Sequence, residues 1–262
     1  MMDELTTRDI AYRHGGTEML GVLCAPAGAR ELPAVLLVHD AFGLGGDTIA
    51  LARELAALGL AVFAADVWSH RYAPTEAAEL GSLIDAMVAD RAEWLGRIAA
   101  AHAAAAAQPE IDAQALVGLG HCFGGSSVLE HLRVGGQLRG VVAIHAGLDL
   151  LAPGWESALG DSEGGCAPRV LLCTGADDPM ATAAQRAELQ AGLDQAAIEW
   201  ETHLYSGTVH GFTSPHSAQS PRPDVVMYHP GNAARARQAT LRFLAEAFPG
   251  RLAFPTPENE FA

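Results

Sequence analysis

Residues 118–125 read Gly-Leu-Gly-His-Cys-Phe-Gly-Gly and follow the apolar run Ala115-Leu116-Val117. Cys122 is therefore the centre of Gly120-His121-Cys122-Phe123-Gly124, a G-x-S-x-G nucleophile elbow with sulfur in place of oxygen. In such an elbow a strand ends, the chain turns sharply between small neighbours, and a helix begins at about Phe123. The sulfur then points at a helix N-terminus, whose partial positive charge favours a thiolate. A thiol nucleophile needs a base within hydrogen-bond reach, and the base needs an orienting carboxylate. The chain supplies both downstream: Asp177 and Asp178 in Gly175-Ala176-Asp177-Asp178-Pro179, then His210 in His210-Gly211-Phe212. This set predicts covalent acyl transfer. Two other readings compete. A lone cysteine before Gly-Gly is often a small buried residue, and Gly118-x-Gly120-x-x-x-Gly124 imitates a dinucleotide-binding turn. That turn normally opens its domain, whereas more than a hundred residues precede it here.

The elements that must position these residues follow from the apolar patterning. Thr7–His14 and Met19–Cys24 read as a hairpin around Gly15-Gly16. Ala34–Val38 has the continuous apolar character of a buried parallel strand and ends in His39-Asp40-Ala41-Phe42-Gly43. A helix is expected over 48–58, stopped by Gly59, then a strand over 60–65 ended by Asp66. Residues 75–107 are helical in composition and could form two helices, weakened at Gly81 and Gly96, with Pro109 as terminator. Further strands are expected over 115–119, 141–145, 170–173 and 198–204. Helices are expected from the elbow to Arg133, over 182–193 and over 232–248. Strands alternate with helices, which predicts a mostly parallel sheet covered on both faces, with a short antiparallel start. Active residues of such sheets sit at the carboxyl ends of the strands, where this chain places His39, Asp40, Asp66, Cys122, His145, Asp177, Asp178 and His210.

The length of 262 residues, 50% of them hydrophobic, suits one α/β domain spanning 1–262, with a core of about 7–248 and a loosely held tail over 250–262. A formal net charge of −15 makes nucleic acid and anionic membrane surfaces poor partners. Cys24, Cys122, Cys166 and Cys173 show neither a disulfide framework nor C-x-x-C spacing, and Cys24, Cys166 and Cys173 read as spectators. No apolar run reaches the length of a membrane span, and the acidic start lacks a secretory segment, so a reducing cytoplasm is expected. His39 and His145 lack a His-x-x-x-His or comparable metal spacing, and His121 reads as structural. The loops over 147–168 and 213–231 are long enough to cover a pocket.

From Gly21 to Phe248 the chain resembles the dienelactone hydrolase family of the α/β-hydrolase superfamily. The resemblance is carried by His39-Asp40-Ala41-Phe42-Gly43-Leu44, Gly120-His121-Cys122-Phe123-Gly124-Gly125, Gly175-Ala176-Asp177-Asp178-Pro179 and His210-Gly211-Phe212. It implies an α/β-hydrolase fold, a cysteine-dependent hydrolase of a small ester or lactone, and no organic cofactor or metal. It implies Cys122 as nucleophile, Asp178 as triad acid through the family's Gly-x-x-Asp frame, and His210 as base. The backbone N–H groups of Ala41 and Phe123 are then the expected oxyanion hole. Two departures stand out. The family typically has a glutamate at the place of Asp40, thought to help deprotonate the cysteine; Asp40 is one methylene shorter and is either a thiol activator or a cap of the Gly-rich loop. Dienelactone-cleaving members carry an arginine four residues after the catalytic histidine, to bind a substrate carboxylate, where this chain has Ser214. Arg71, Arg91 or Arg222 could replace it, although each also reads as a surface residue. Phe42, Trp68 and Tyr228 are candidates for the pocket wall. A carboxylesterase or thioesterase of other specificity, and a non-catalytic binding protein on the same fold, are the alternatives; a monomer or small homo-oligomer is expected.

Overall fold

The computed structural model describes residues 4–155 and 167–252. Residues 156–166 of the long loop after Gly147, Cys166 among them, and the tail from residue 253 lie outside the described residues. The strands are β1 (Leu5–His14), β2 (Thr17–Pro26), β3 (Leu32–Val38), β4 (Ala61–Ala65), β5 (Ile111–His121), β6 (Gly140–Ile144), β7 (Arg169–Gly175) and β8 (Glu199–Tyr205). The helices are α1 (Gly46–Ala56), α2 (Ala77–Ala89), α3 (Arg91–Ala106), α4 (Phe123–Arg133), α5 (Ala183–Gln195) and α6 (Pro230–Ala247). The strands form one sheet in the order β1-β2-β4-β3-β5-β6-β7-β8. β1 and β2 pair antiparallel, with His14 opposite Thr17, so Gly15-Gly16 is the two-residue turn. β2 meets β4 antiparallel, and every later pairing is parallel. This is the α/β-hydrolase fold.

The central strands have no polar face because both faces are covered. Ala34-Val35-Leu36-Leu37-Val38 is buried throughout. Its Leu36 and Val38 join a layer containing Trp94 of α3, Leu129 of α4 and Leu189 of α5. Val35 and Leu37 join the opposite layer, with Leu55 of α1 and Phe243 of α6. The helical stretch after residue 75 does divide, but at Asp90 rather than at either glycine. Asp90 leaves helical geometry (φ −116°, ψ 76°) and its side chain accepts the Glu93 N–H, capping α3. The chain leaves β3 toward β4 on one side and returns to β5 on the other, which makes the carboxyl ends of β3 and β5 the switch point where such sheets open a crevice.

The turn from β5 into α4 rests on two glycines. A Cβ at Gly120 would lie 2.1 Å from the Gly124 carbonyl carbon, and one at Gly124 would lie 2.2 Å from the Val38 carbonyl oxygen. These obstacles are backbone, so they cannot swing aside. Gly124→Ala is expected to destabilise the protein by about 3 kcal/mol. Gly46→Ala, where an added methyl meets nothing, is expected to stay within about 0.5 kcal/mol. Urea unfolding of both variants checks this, and equal losses would contradict it.

Candidate active site

Cys122 lies between the last residue of β5 and the first of α4, at φ 52° and ψ −122°, a conformation that L-residues rarely adopt. Its N–H donates to the Ile144 carbonyl at 3.0 Å, and its carbonyl accepts from the Ser126 N–H at 3.2 Å. The turn is thus tied to β6 on one side and to α4 on the other.

The sulfur of Cys122 lies 3.0 Å from His210 Nε2. His210 Nδ1 lies 2.9 Å from Asp178 Oδ2. The other Asp178 oxygen accepts the Met180 N–H at 2.8 Å, which sets the rotation of the carboxylate. His210 is held by its backbone as well: its N–H donates to Val225 and its carbonyl accepts from Met227. Asp178 and His210 are both buried, while Asp177 is exposed. Of the two adjacent aspartates it is therefore Asp178 that reaches the imidazole. Burial by itself would lower the His210 pKa. Charge on the Cys122 sulfur, hydrogen bonds to Asp178 and Cys122, and the Asp178 charge outweigh that and raise it to about 10. An imidazolium is thereby held against the sulfur, and its proton can be passed to a leaving group.

The β3 loop is oriented by two ring N–H groups. His39 Nε2 accepts the Val67 N–H at 3.0 Å, so its proton sits on Nδ1, which donates to the Asp40 carbonyl at 2.5 Å. That carbonyl belongs to the peptide unit whose N–H is that of Ala41. Burial lowers the His39 pKa, in keeping with a neutral ring. Trp68 Nε1 donates to the Ala41 carbonyl at 2.9 Å. The peptide planes on both sides of Ala41 are therefore fixed. The same indole stacks on Phe123 at 4.7 Å between centroids, and Trp94 stacks on Phe123 at 5.2 Å. Trp68, a candidate for the pocket wall, is buried beneath the loop and supports it.

The other expected residues are distributed as follows. Asp40 Oδ1 accepts the Phe42 N–H at 2.9 Å, capping its own loop. Among the described residues no hydrogen bond joins Asp40 to Cys122, although Asp40 and His210 interact electrostatically. Phe42 stands 54% exposed at the rim. Tyr228 lines a cavity of about 400 Å³ between α1 and α6, together with His121 and Thr213. Arg71 is bound to Asp9 and to the carbonyls of Leu20 and Gly21. Arg91 is bound to Glu130 and the Leu150 carbonyl, and Arg222 to Asp224. Gly118 and Gly120 do not form a nucleotide cradle: a Cβ at Gly118 would meet Leu138 and Val128, and one at Gly120 would meet α4, so both serve strand–helix packing.

Two supporting histidines were not legible as such. His39 orients the Ala41 peptide. His145, at a positive φ of 37°, has Nε2 2.8 Å from Thr213 Oγ1. Its ring stands edge-on to His210 at 5.1 Å and to Phe212 at 5.4 Å. Burial, and then the His210 charge, hold the His145 pKa well below its ordinary value, so it packs as a neutral ring. The sequence shows only that both stand at strand ends, because their partners, Val67 and Thr213, are far along the chain. Among the described residues no group of three or more His, Cys, Asp or Glu side chains could hold a metal ion.

The profile of the dienelactone hydrolase family matches residues 19–248. The chain belongs to the dienelactone hydrolase family. Membership makes it a hydrolase acting on ester bonds. Among solved structures, a dienelactone hydrolase-like promiscuous phosphotriesterase from metagenomic libraries is 32% identical, with a TM-score of 0.83 over 93% of this chain and 98% of that one. The protein m3DLH is 30% identical, with a TM-score of 0.83 over 93% of this chain and 99% of that one. Thermogutta terrifontis esterase 2, phosphorylated by paraoxon, is 16% identical with a TM-score of 0.62 over 95% of this chain and 96% of that one, and shares the fold. No curated protein sequence matches the chain. Among the described residues no helix is long and apolar enough to cross a membrane.

The imidazole of His210 is expected to remain protonated up to about pH 10, and to titrate well below that in Cys122→Ala, where the Cys122 charge and hydrogen bond that help raise it are gone. Titration of its ring protons by NMR checks this; an unchanged value would contradict it. The linkage has a definite sign. With a raised folded-state pKa, the contribution to stability is full below the unfolded value of 6.5 and lost as pH rises through about 10. Cys122→Ala should therefore lose less stability than the parent across that window.

Proposed function

We propose that the protein hydrolyses small esters or lactones through a thioester formed on Cys122. The single observation that carries this reading is the continuous chain from Cys122 sulfur to His210 to Asp178, at 3.0 and 2.9 Å. Attack of the thiolate on the ester carbonyl gives a tetrahedral oxyanion. The N–H groups of Ala41 and Phe123 would receive that charge; the fixed peptides on both sides of Ala41 and the aromatic stack on Phe123 support this assignment, since donors that need not reorganise stabilise charge best. Collapse expels the alcohol, which takes its proton from the His210 imidazolium. The now neutral imidazole accepts a proton from water, and the resulting attack on the thioester releases the acid and restores the ion pair. Asp178 holds the ring with Nε2 toward the sulfur throughout. In a lactone the alcohol stays tethered to the acyl chain, so the ring opens.

A second reading is favoured by the similarity to a promiscuous phosphotriesterase. Attack of the same thiolate at phosphorus would expel an aryloxide and leave a phosphorylated sulfur. Its hydrolysis would need the same water and the same base.

Removal of the sulfur in Cys122→Ala is expected to lower kcat/KM for p-nitrophenyl acetate by at least about 10³-fold, and His210→Ala by a similar factor, because the two groups act as a unit. A double variant should lose little more than either single one. Retained turnover in Cys122→Ala would remove the proposal. Paraoxon separates the second reading: release of many p-nitrophenolate equivalents per enzyme supports it, and a single equivalent with loss of esterase activity leaves phosphorylation as inhibition.

A further inference from the structure

We propose that the crevice beside Cys122 selects substrates whose acyl part is neutral or cationic and rejects anionic ones, with Asp40, Asp47 and Asp149 setting that preference. The inference rests on the reading of Cys122 as the nucleophile that substrates approach.

A cavity of about 210 Å³ lies at the carboxyl ends of β3, β5 and β6, lined by chain neighbours of the triad residues and not by the triad itself. Its wall includes His121, the neighbour of Cys122 in the chain, and His145, whose ring touches that of His210. Its other polar residues are His39, Asp40, Asp47, Thr48, Thr213, Ser214 and His216. A second hollow of about 290 Å³ continues outward past Phe42 and shares Asp40, Asp47, Ser214 and His216. Asp149, in the turn just after β6, is exposed and near enough to His210 and Asp178 to interact electrostatically with both.

No fixed positive charge balances these acids. The chain contains no lysine, and its 16 basic residues are all arginines. None of them lines either hollow. The three that could have swung in are held elsewhere: Arg71 by Asp9, Arg91 by the buried Glu130, and Arg222 by Asp224. The histidines of the wall do not supply the charge either. Burial lowers the pKa of His39, His121 and His145, and His216 is already paired with Asp47 at 3.0 Å. The His210 imidazolium and a Cys122 thiolate cancel one another. A carboxylate brought in by a substrate would meet the half-buried Asp40, where like charges repel more strongly than in water, and beyond it the exposed Asp47, whose charge solvent screens. Burial is the main cause that raises the Asp40 pKa, and the Asp47 charge adds to it.

The test measures this without needing turnover. Cys122 is modified with two methanethiosulfonates of similar shape, one carrying a trimethylammonium group and one a sulfonate. The thiolate attacks the sulfenyl sulfur, a mixed disulfide forms and methanesulfinate leaves, so both reagents follow the same chemistry. Rates are read by mass spectrometry of the Cys122 peptide and divided by the rates at N-acetylcysteine. The cationic reagent is expected to be favoured by at least about tenfold over that reference. Ser214→Arg and Asp47→Asn should each shrink the preference, while Glu188→Gln, an exposed charge on α5, should leave it. A normalised ratio of one or less, or an equal shift in Glu188→Gln, overturns the proposal. A paired ester assay uses neutral p-nitrophenyl butyrate and anionic p-nitrophenyl hemisuccinate, with the neutral ester expected to have at least about tenfold higher kcat/KM. If neither ester is turned over, the hydrolytic reading fails, and the modification ratio still decides the charge preference.

Discussion

The turn at Cys122 is held in place by a contact that leaves no room for a single added methyl group. α4 approaches β5 and β3 so closely that Gly120 faces the Gly124 backbone and Gly124 faces the Val38 carbonyl. A left-handed φ at a non-glycine residue costs on the order of 1–3 kcal/mol and persists only where the surroundings leave no alternative. Here the surroundings are two main-chain hydrogen bonds and a helix pressed against two strands. Loosening any of them would let the backbone relax and carry the sulfur away from His210.

The remaining geometry follows from that fixed point. Because Cys122 cannot move, His210 and Asp178 must come to it, and each arrives on a loop secured by its own backbone bonds: Met180 on Asp178, and Val225 and Met227 on His210. The β3 loop is brought alongside by side chains. His39 and Trp68 clamp the peptides around Ala41, and Trp68 at the same time stacks on Phe123. One indole thus links the loop after β3 to the residue that follows Cys122. The neutral His145 fills the space behind His210, so the imidazolium rests against a ring with no charge of its own.

Much of this architecture is legible from the chain alone, for physical reasons. Strands buried on both faces must be apolar without interruption, so Ala34–Val38 and Val141–Ile144 identify themselves, and their carboxyl ends mark the site. The Gly-Cys-Gly spacing and the order cysteine, aspartate, histidine pointed to the three residues that the fold assembles. What was hidden depends on contacts between distant segments. Asp90 splits the long helical stretch through a cap that needs Glu93 in place, although glycine composition suggested other break points. Trp68 reads as a pocket aromatic until the Ala41 carbonyl and the Phe123 ring are seen beside it. Asp40 reads as either a thiol activator or a cap of the Gly-rich loop, and its carboxylate accepts the Phe42 N–H. In each case the residue type permitted two roles, and the tertiary partner chose between them.

The measurement that bears most directly on the account is a rapid quench of the protein with p-nitrophenyl acetate, followed by peptide mapping under conditions that preserve thioesters. The account predicts one acetyl group on the peptide that carries Cys122, removable by neutral hydroxylamine, appearing with the burst of p-nitrophenolate and absent from Cys122→Ala. Acetyl groups on other side chains, or the same labelling in the parent and in Cys122→Ala, would contradict it.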